Sequence, residues 1–380
     1  MAKTYDVDGN RLALLIEGPE RLEALVALID GAKTSLKLLY YIYADDEAGQ
    51  RVHNALLAAA ARGVEVALIV DGFGSDASSH DSFFEPLTAA GIDVCAFHPR
   101  WGRRYLLRNH QKIALADDIR AIIGGFNVSA DYFASSGETA WRDLGLSVEG
   151  EAAKRLSGYF DTLQRWTKLP KARLRDLRKA LRDWSNPAGM TRWLLGGPAR
   201  RLSPWARSVR DDMMTGKSLS MIAAYFAPNP AMLRRIDRIG QSGNARIVTA
   251  SKSDNSATIS AARFTYPGLL RKGVRVFEYA PSRLHTKLIL IDNLVYIGSA
   301  NFDMRSLFLN LEIMLRIDDA VFAEHVRAYI DGEVANSVEQ LLPDYTGWRT
   351  WAAKAKRAMS YFVVAVMDYN VARRLNFGTG

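Results

Sequence analysis

Two stretches of the chain, NHQKIALADDIRAIIGGFN at residues 109–127 and LHTKLILIDNLVYIGSAN at residues 284–301, carry the same arrangement of polar residues. Each reads H-x-K-x4-D and continues to a Gly-x-x-Asn. The corresponding residues are His110 and His285, Lys112 and Lys287, Asp117 and Asp292, and Asn127 and Asn301. A motif that occurs twice in matching contexts indicates that the chain is an internal duplication.

The sequence around each motif predicts strands that alternate with helices. AKTSLKLLYYIY (32–43) and AARGVEVALIVDG (60–72) precede the first motif, and GKSLSMIAAYF (216–226) and GNARIVTASKSD (243–254) precede the second. We therefore predict an α/β fold in which each half is a mixed, mostly parallel sheet sandwiched by helices. The two halves are expected to form one pseudo-twofold active site.

The predicted organisation has four parts, and 380 residues are enough for two such halves. Residues 1–151 form the first half, residues 152–210 a basic, Trp-rich linker that is partly helical, residues 211–340 the second half, and residues 341–380 a C-terminal amphipathic helical tail.

The spacing within each motif places the histidine and the lysine on one face of a strand, because side chains two residues apart point the same way. The aspartate lies at an odd offset and precedes a turn-like step. Asp117 and Asp292 are therefore expected to hold a hairpin turn rather than take part in chemistry. The hairpin would return Asn127 and Asn301 towards the histidines, and glycines 124, 125 and 298 would let the backbone approach a ligand closely.

Two imidazoles, two ammonium groups and two carboxamides in one cleft form a site for a tetrahedral anion. The set predicts phosphodiester chemistry, in which a neutral imidazole attacks phosphorus and a protonated imidazole donates its proton to the leaving alkoxide. The lysines and asparagines would stabilise charge on the equatorial oxygens. No cofactor and no metal is expected, because the sequence lacks clustered carboxylates and Cys or His ligand spacings.

These residues resemble the signature of the phospholipase D superfamily, a pair of H-x-K-x4-D motifs on a duplicated α/β sandwich. Within that superfamily the chain is most similar to bacterial cardiolipin synthases, through RNHQK (108–112), GGFN (124–127), WRD (141–143) and GSANFDMRS (298–306). The resemblance implies that Glu312 orients His110 and that Asp143 orients His285, each from the opposite half. It also implies that His110 is the nucleophile and His285 the acid, although the spacing itself leaves that order open.

The function implied by the resemblance is a phosphatidyltransferase. It would move a phosphatidyl group from phosphatidylglycerol to a second phospholipid alcohol through a covalent phosphohistidine and release glycerol. The implied catalytic set is His110, Lys112, Asn127, Asp143, His285, Lys287, Asn301 and Glu312, and the expected phosphate contacts are Lys112, Lys287, Asn127, Asn301 and Ser299. The alternatives are a hydrolytic phospholipase D, a metal-independent nucleic-acid phosphodiesterase, and a membrane-binding scaffold with an inactive site.

Positive charge is concentrated in one segment of the sequence. Residues 168–210 contain twelve Lys and Arg and two Asp, whereas the whole chain has a net charge of +9. Four tryptophans lie in or beside the segment: Trp166, Trp184, Trp193 and Trp205. This pattern suits an anionic lipid surface or a nucleic-acid backbone, and a solvated helix is the plain alternative. We expect a phospholipid substrate, contact with an anionic membrane surface and no dedicated nucleic-acid partner; the oligomeric state is not predicted.

The sequence predicts a cytoplasmic protein that associates peripherally with the inner face of the cell membrane. Its single cysteine, Cys95, excludes an internal disulfide, and MAKTYDVDGN at the N-terminus lacks the apolar core of a secretory signal. No apolar run approaches the ~18–20 residues that a spanning helix needs. The segment WRTWAAKAKRAMSYFVVAVM (348–367) is expected either to lie in the membrane interface or to pack on the core.

Overall fold

Each H-x-K-x4-D motif leads into an inner strand of an eight-stranded sheet in the computed structural model, which describes residues 3–75, 81–97, 107–135, 137, 139–199, 201–253, 255–345 and 351–363. The elements of the first half are β1 (Thr4–Val7), β2 (Asn10–Leu15), α1 (Gly18–Asp30), β3 (Ser35–Tyr40), α2 (Glu47–Ala61), β4 (Glu65–Asp71), α3 (Asp81–Ala89), β5 (Asp93–Phe97), β6 (Ile113–Ala116), β7 (Arg120–Gly124), α4 (Ala130–Phe133), β8 (Trp141–Arg142), β9 (Gly145–Glu149) and α5 (Glu151–Lys168).

The remaining elements follow in chain order. They are α6 (Leu174–Trp184), β10 (Thr191–Gly196), α7 (Pro204–Thr215), β11 (Leu219–Ala223), β12 (Phe226–Ala227), α8 (Pro230–Gly240), β13 (Ala245–Ala250), α9 (Ser256–Arg271), β14 (Arg275–Tyr279), β15 (Arg283–Leu284), β16 (Lys287–Ile291), β17 (Leu294–Gly298), β18 (Phe302–Asp303), α10 (Met304–Phe308), β19 (Glu312–Asp318), α11 (Ala320–Ala335), β20 (Ser337–Gln340), a 3₁₀ turn (Leu342–Tyr345) and α12 (Trp351–Tyr361).

The two large sheets repeat one strand order, which confirms the predicted duplication of an α/β sandwich. The first is ordered β1-β2-β9-β7-β6-β3-β4-β5 and the second β10-β19-β17-β16-β11-β13-β14-β20. The run from β2 to β5 in the first sheet therefore matches the run from β10 to β14 in the second. The strands β6, which begins just after Lys112, and β16, which begins at Lys287, occupy equivalent inner positions.

The predicted predominance of parallel strands is wrong. Within the described part of each large sheet, the parallel pairs are β3–β4 and β4–β5 in the first and β11–β13 and β13–β14 in the second. The other neighbours run antiparallel. Parallel neighbours need a long crossover, which α2, α3, α8 and α9 provide, whereas each motif strand turns back through a tight hairpin.

One apolar core joins the two halves. It contains inward residues of β6 and β7 with those of β16 and β17, such as Ile113, Ile123, Leu288 and Ile297, together with apolar residues of α5 and α11. Separate clusters cover the outer face of the first sheet with α1–α3 and that of the second with α7–α9. Because both faces of each sheet are covered, inner strands such as β6 are buried at every position.

The segment expected to be a linker, residues 152–210, contains part of the second sheet. Its strand β10 pairs with β19 along six residues. Trp193 and Trp205 are buried, and their indole N–H groups donate to the carbonyls of Ala152 (2.7 Å) and Ser306 (3.1 Å). These two rings therefore belong to the core. They are not exposed beside the basic residues, as the sequence pattern had predicted.

The C-terminal region packs against the second half as far as it is described. Helix α12 lies on α9, with the rings of Phe264 and Tyr361 4.8 Å apart, and the Tyr361 hydroxyl donates to the carbonyl of Pro228 at 2.8 Å. Residues 346–350 and 364–380 of the predicted tail lie outside the described residues. No helix within the described ranges has both the length and the apolar character needed to cross a bilayer.

Candidate active site

The first motif histidine meets a carboxylate from the second half. A parallel backbone bridge joins Asn109 to Leu311, and the His110 N–H donates to the Leu311 carbonyl at 2.9 Å. The bridge sets His110 beside the next residue, Glu312, so that Nδ1 of the imidazole lies 3.1 Å from Oε2 of the carboxylate. The Glu312 side chain is fully buried, and the His110 side chain is 12% exposed.

The second motif histidine meets a carboxylate from the first half in the same way. Strand β15 pairs in parallel with β8, and the N–H groups of His285 and Thr286 donate to the Arg142 carbonyl at 2.8 and 3.1 Å. Nδ1 of His285 then lies 2.6 Å from Oδ2 of Asp143. Both side chains are buried.

The two carboxylates fix the orientation of the two imidazoles. A carboxylate accepts hydrogen bonds, so Nδ1 of each ring carries the proton and Nε2 is left for the substrate. The pairing crosses between the halves in both directions, as the sequence resemblance implied. Neither half therefore holds a fully oriented histidine by itself.

Both histidines line one cleft of about 630 Å³. Its walls also contain tyrosines, arginines and carboxamides from both halves. The lining residues are Tyr41, Ile42, Phe73, Arg108, His110, Asn127, Tyr132, Tyr225, Asn255, Ala257, Thr258, His285, Asn301, Asp303, Arg305, Asn310 and Val363. A cleft of this size and mixed lining is typical of a site for a small substrate group.

The motif lysines are buried beside the histidines. Nζ of Lys112 donates to the His110 carbonyl at 2.7 Å, and Nζ of Lys287 donates to the His285 carbonyl. Burial lowers the pKa of Lys112 well below its usual range, although Glu312 opposes that shift. The Lys112 ammonium also lies 5.2 Å from the centre of the Tyr41 ring.

Burial keeps both imidazoles neutral in the free protein. Burial lowers the pKa of His110, against the opposing charge of Glu312, and burial together with the Lys287 ammonium lowers the pKa of His285. For the carboxyl groups burial acts in the other direction and is the largest single effect. At Asp143 it is outweighed by Lys287, His285 and Arg21 together, and at Glu312 by His110, Lys112 and Ser299 together, so the pKa of each carboxyl is lowered. The site thus pairs neutral imidazoles with ionised carboxylates.

The two motif asparagines lie at the cleft, and Ser299 does not. Asn127 and Asn301 are buried cleft residues, and Oδ1 of Asn127 accepts from the Ile42 N–H at 3.1 Å. Ser299 was expected to contact phosphate, but its hydroxyl is fully buried and donates to Oε2 of Glu312 at 2.5 Å. Together with Ser306, which donates to Oε1 at 2.8 Å, it fixes the carboxylate that orients His110.

The glycines after the motifs admit protein groups rather than a ligand. A Cβ at Gly125 would overlap the Asp143 carboxylate, and one at Gly298 would overlap the Ile313 carbonyl. The expectation that they let the backbone approach a ligand is therefore wrong for these two positions. At Gly125, the missing side chain makes room for the carboxylate that orients His285.

Asp117 and Asp292 lie at turns away from the cleft. Both have positive φ, 53° and 51°. Asp117 accepts from the Thr34 N–H at 2.8 Å, and Asp292 accepts from the Ser218 N–H at the same distance. Burial disfavours ionisation of Asp117, but hydrogen bonds from Thr34 and its neighbours outweigh it and lower its pKa.

Aromatic side chains surround the histidines and were missed from the sequence. The Tyr41 ring lies 5.2 Å from His110, and the Tyr132 and Trp141 rings each lie 5.2 Å from His285. Tyr41 and Tyr225 come just after β3 and β11, in equivalent strands of the two halves. Ligands in α/β folds bind beyond the carboxyl ends of strands, so these positions could have been singled out.

Arg21 was also missed, although its position in α1 is unusual for a charged residue. It shares the buried stripe of that helix with Leu25 and Leu28. Its guanidinium donates to the carbonyls of Ile16, Tyr132, Trp141 and Asp143 at 2.6–3.3 Å. Arg21 therefore anchors the backbone around Arg142 and Asp143, the two residues that hold His285.

No group of three or more histidine, cysteine or acidic side chains with the arrangement of a metal site occurs among the residues described.

Comparison with known proteins connects this site to a family of enzymes. A family model described as "Cardiolipin synthase, PLD-like domain" matches residues 25–164 and 213–333. The chain is 31% identical over 372 residues to cardiolipin synthase B of Salmonella typhimurium, covering 93% of this chain and 87% of that protein. It is 29% identical over 349 residues to cardiolipin synthase A of Pseudomonas aeruginosa, covering 89% and 70%.

A solved structure has the same fold. The phosphatidylserine synthase of Haemophilus influenzae superposes with a TM-score of 0.73 over 98% of this chain and 97% of that one, at 13% identity. At that identity the likeness concerns the fold alone.

Proposed function

The chain belongs to the phospholipase D-like cardiolipin synthase family, and we propose that it is a phosphatidyltransferase that makes cardiolipin from phosphatidylglycerol. The donor would be one phosphatidylglycerol, the acceptor the headgroup hydroxyl of a second phospholipid, and the released product glycerol. The observation that carries the proposal is the pair of carboxylate-oriented histidines, one from each half, that line one cleft, with a buried lysine beside each of them.

The first step forms a bond between phosphorus and a histidine nitrogen. Nε2 of His110 attacks the phosphorus of the donor, and the bond between phosphorus and the glycerol oxygen breaks. The departing alkoxide takes a proton from Nε2 of His285, which must be protonated in the substrate complex. The anionic phosphodiester would supply the charge that raises the pKa of that imidazole on binding. The products of this step are free glycerol, a phosphatidyl-histidine and neutral His285.

The second step reverses the roles of the histidines. Neutral His285 accepts the proton of the acceptor hydroxyl while its oxygen attacks the same phosphorus. The bond between phosphorus and His110 breaks, which frees His110 and returns His285 to the protonated state that it had in the substrate complex. Lys112 and Lys287, with Asn127 and Asn301, would balance the charge on the equatorial oxygens in both steps.

A phospholipid substrate also supports association with a membrane surface. We propose that the protein works as a peripheral protein at the cytoplasmic face, since its substrate and its product are both anionic lipids of a bilayer.

The proposal is tested by mass spectrometry of the lipids formed after incubation with phosphatidylglycerol vesicles in the presence of a chelator. We expect cardiolipin and glycerol in equal amounts. Phosphatidic acid as the main lipid product would instead identify a hydrolytic phospholipase D, and unchanged lipid with cleavage of an oligonucleotide would identify a nuclease.

Variants at the two histidines test the shared site. His110→Ala and His285→Ala should each lower turnover by ~10³-fold or more, because each ring has a separate task in both steps. His325→Ala is the matched control, since His325 lies in the first half of α11, stacks on Tyr5 and does not line the cleft. A donor with a nitrophenol leaving group, which needs no proton, should restore bond cleavage to the variant that lacks the acid and not to the variant that lacks the nucleophile.

A further inference from the structure

A second concavity lies between α6 and the segment that leads into α7. It encloses about 270 Å³, and none of its described lining residues lines the catalytic cleft. It is lined by Arg178, Leu181, Arg182, Gly197, Pro198, Ala199, Arg201, Leu202, Pro204 and Arg207. These residues come from the basic segment 168–210, whose charge the proposed chemistry does not use.

This arginine pocket gathers positive charge. Four of its lining residues are arginines, and none of the described lining residues is acidic. The acidic residues nearby in sequence bind other basic side chains: Asp176 binds Arg173 at 2.9 Å, and Asp183 binds Lys179 at 2.6 Å. A concave group of like charges attracts an anion, because the anion relieves their mutual repulsion.

The walls of the arginine pocket are held by backbone contacts. Nε of Arg178 donates to the Pro198 carbonyl at 2.8 Å, which ties α6 to the opposite wall. Leu181 fills the space beside Gly197, where a side chain would overlap it. The 12-residue helix α7 begins at Pro204 in the pocket wall, so its positive end adds to the charge of the guanidinium groups.

We propose that the arginine pocket binds the phosphate group of an anionic phospholipid at the membrane surface, as a site separate from the catalytic cleft. Guanidinium groups match the paired oxygens of a phosphate. The volume suits one phosphate group with its neighbouring carbons, and Leu181, Leu202 and Pro204 provide apolar surface for those carbons. A nucleic acid would instead be matched by a linear track of cations with exposed aromatic rings.

The short helix α10 connects the arginine pocket to the catalytic cleft. The N–H groups of Ala199 and Ser203 donate to the carbonyls of Phe308 and Leu307 at the end of α10, at 2.9 and 3.2 Å. Near the start of the same helix, Arg305 lines the catalytic cleft. A lipid held in the arginine pocket would therefore keep the cleft close to the bilayer. The choice of a lipid as the source of the phosphate rests on the proposed function.

The test compares two double variants by vesicle flotation. Arg182→Gln/Arg201→Gln removes two exposed charges from the arginine pocket, and Arg234→Gln/Lys272→Gln removes two exposed charges elsewhere. Each basic residue at an anionic surface contributes about fivefold to partitioning, so the pocket variant should bind phosphatidylglycerol vesicles roughly 30-fold more weakly. The control variant should stay within about threefold of the parent, and phosphatidylcholine vesicles should bind none of them well. Thermal unfolding midpoints check that all the proteins fold, and Arg207→Gln is a further single variant of the same pocket.

Three results would overturn the proposal. Equal loss of vesicle binding in both double variants would mean that only net charge matters. Loss of inorganic phosphate binding by calorimetry, with unchanged vesicle binding, would mean that the pocket takes free phosphate. Loss of binding to a single-stranded oligonucleotide, with unchanged vesicle binding, would identify a nucleic-acid site. Flotation requires no turnover, so a protein that makes no cardiolipin could still bind vesicles through the pocket, and the two proposals are judged separately.

Discussion

Replacing Asp143 by asparagine should disable the site by changing the tautomer of His285. Oδ1 of Asp143 accepts from the Leu144 N–H at 2.7 Å, and Oδ2 faces Nδ1 of His285 at 2.6 Å. An asparagine can keep the first contact with its carbonyl oxygen, which turns its NH₂ group towards the imidazole. Two donors cannot bond, so the ring must move its proton to Nε2 and accept through Nδ1. The neutral ring would then present a proton to the acceptor alcohol, where the second step needs a base.

The magnitude follows from the contact that is lost. A buried hydrogen bond to a charged group contributes about 1.5–3 kcal/mol, which corresponds to a roughly 10- to 150-fold fall in kcat/KM. The wrong tautomer adds to that loss, and removal of an orienting aspartate in a comparable triad lowers turnover by ~10⁴-fold. We therefore expect Asp143→Asn to lower kcat/KM for cardiolipin formation by ~10²–10⁴-fold with an almost unchanged KM.

The assay is the initial rate of cardiolipin formation on phosphatidylglycerol vesicles, measured by mass spectrometry. Glu151→Gln, at the exposed start of α5, is the matched loss of one carboxylate charge and should have no effect. A variant protein with the parent's unfolding midpoint and a rate within threefold of the parent would refute the orienting role of Asp143.

Three further predictions concern the same framework. Gly125→Ala should reduce activity by at least ~10-fold by displacing the Asp143 carboxylate, with a normal fold by circular dichroism; full activity would show that the carboxylate has room to move. Asp117→Asn should lower the unfolding midpoint at pH 7, because the pKa of Asp117 is lower in the folded protein than in the unfolded chain. This stabilisation is complete above the pKa of the unfolded chain, about 4, and is lost as the pH falls through the folded pKa, so the difference in midpoint from the parent should shrink below about pH 4. A constant difference down to pH 2 would contradict this. Because burial lowers the pKa of His110 and of His285, the protein should take up close to one proton when it binds a non-cleavable phosphodiester analogue at pH 7. Calorimetry in buffers of different ionisation enthalpy should detect this uptake. No uptake would mean that one imidazole is already charged in the free protein.

The sequence predicts the repeat and the chemistry of the site because both are local patterns. The H-x-K-x4-D spacing reveals one set of polar side chains that is repeated in the chain. His110 and His285 lie just before β6 and β16 rather than within a strand as expected, and the structure brings them to one cleft although they are 175 positions apart in the chain. The cross-half partners Asp143 and Glu312 came from the family resemblance. No spacing rule relates them to their histidines, because they lie 142 and 202 residues away.

Other features depend on tertiary contacts that a linear pattern does not contain. Strand direction was mispredicted because an apolar run reads the same in a parallel and an antiparallel neighbour. From the sequence GSANFDMRS we expected Ser299 to bind phosphate. In the structure its hydroxyl instead points to the carboxylate of Glu312, which follows 13 residues later. The basic segment showed its charge in the sequence, but the gathering of four arginines in one pocket depends on how α6 packs against residues 197–199 and 201–204.

The crossing of the two carboxylates explains why the halves must stay in one rigid unit. Each orienting pair is set by backbone bonds between the halves: β8 with β15 places Asp143 against His285, and the Asn109–Leu311 bridge places Glu312 against His110. A displacement of 1 Å between the halves would therefore weaken both hydrogen bonds at once, since each is already near its optimal length. The apolar core shared by β6, β7, β16 and β17 resists such a displacement. Substitutions that loosen this core, even far from the cleft, should thus lower turnover before they unfold the protein.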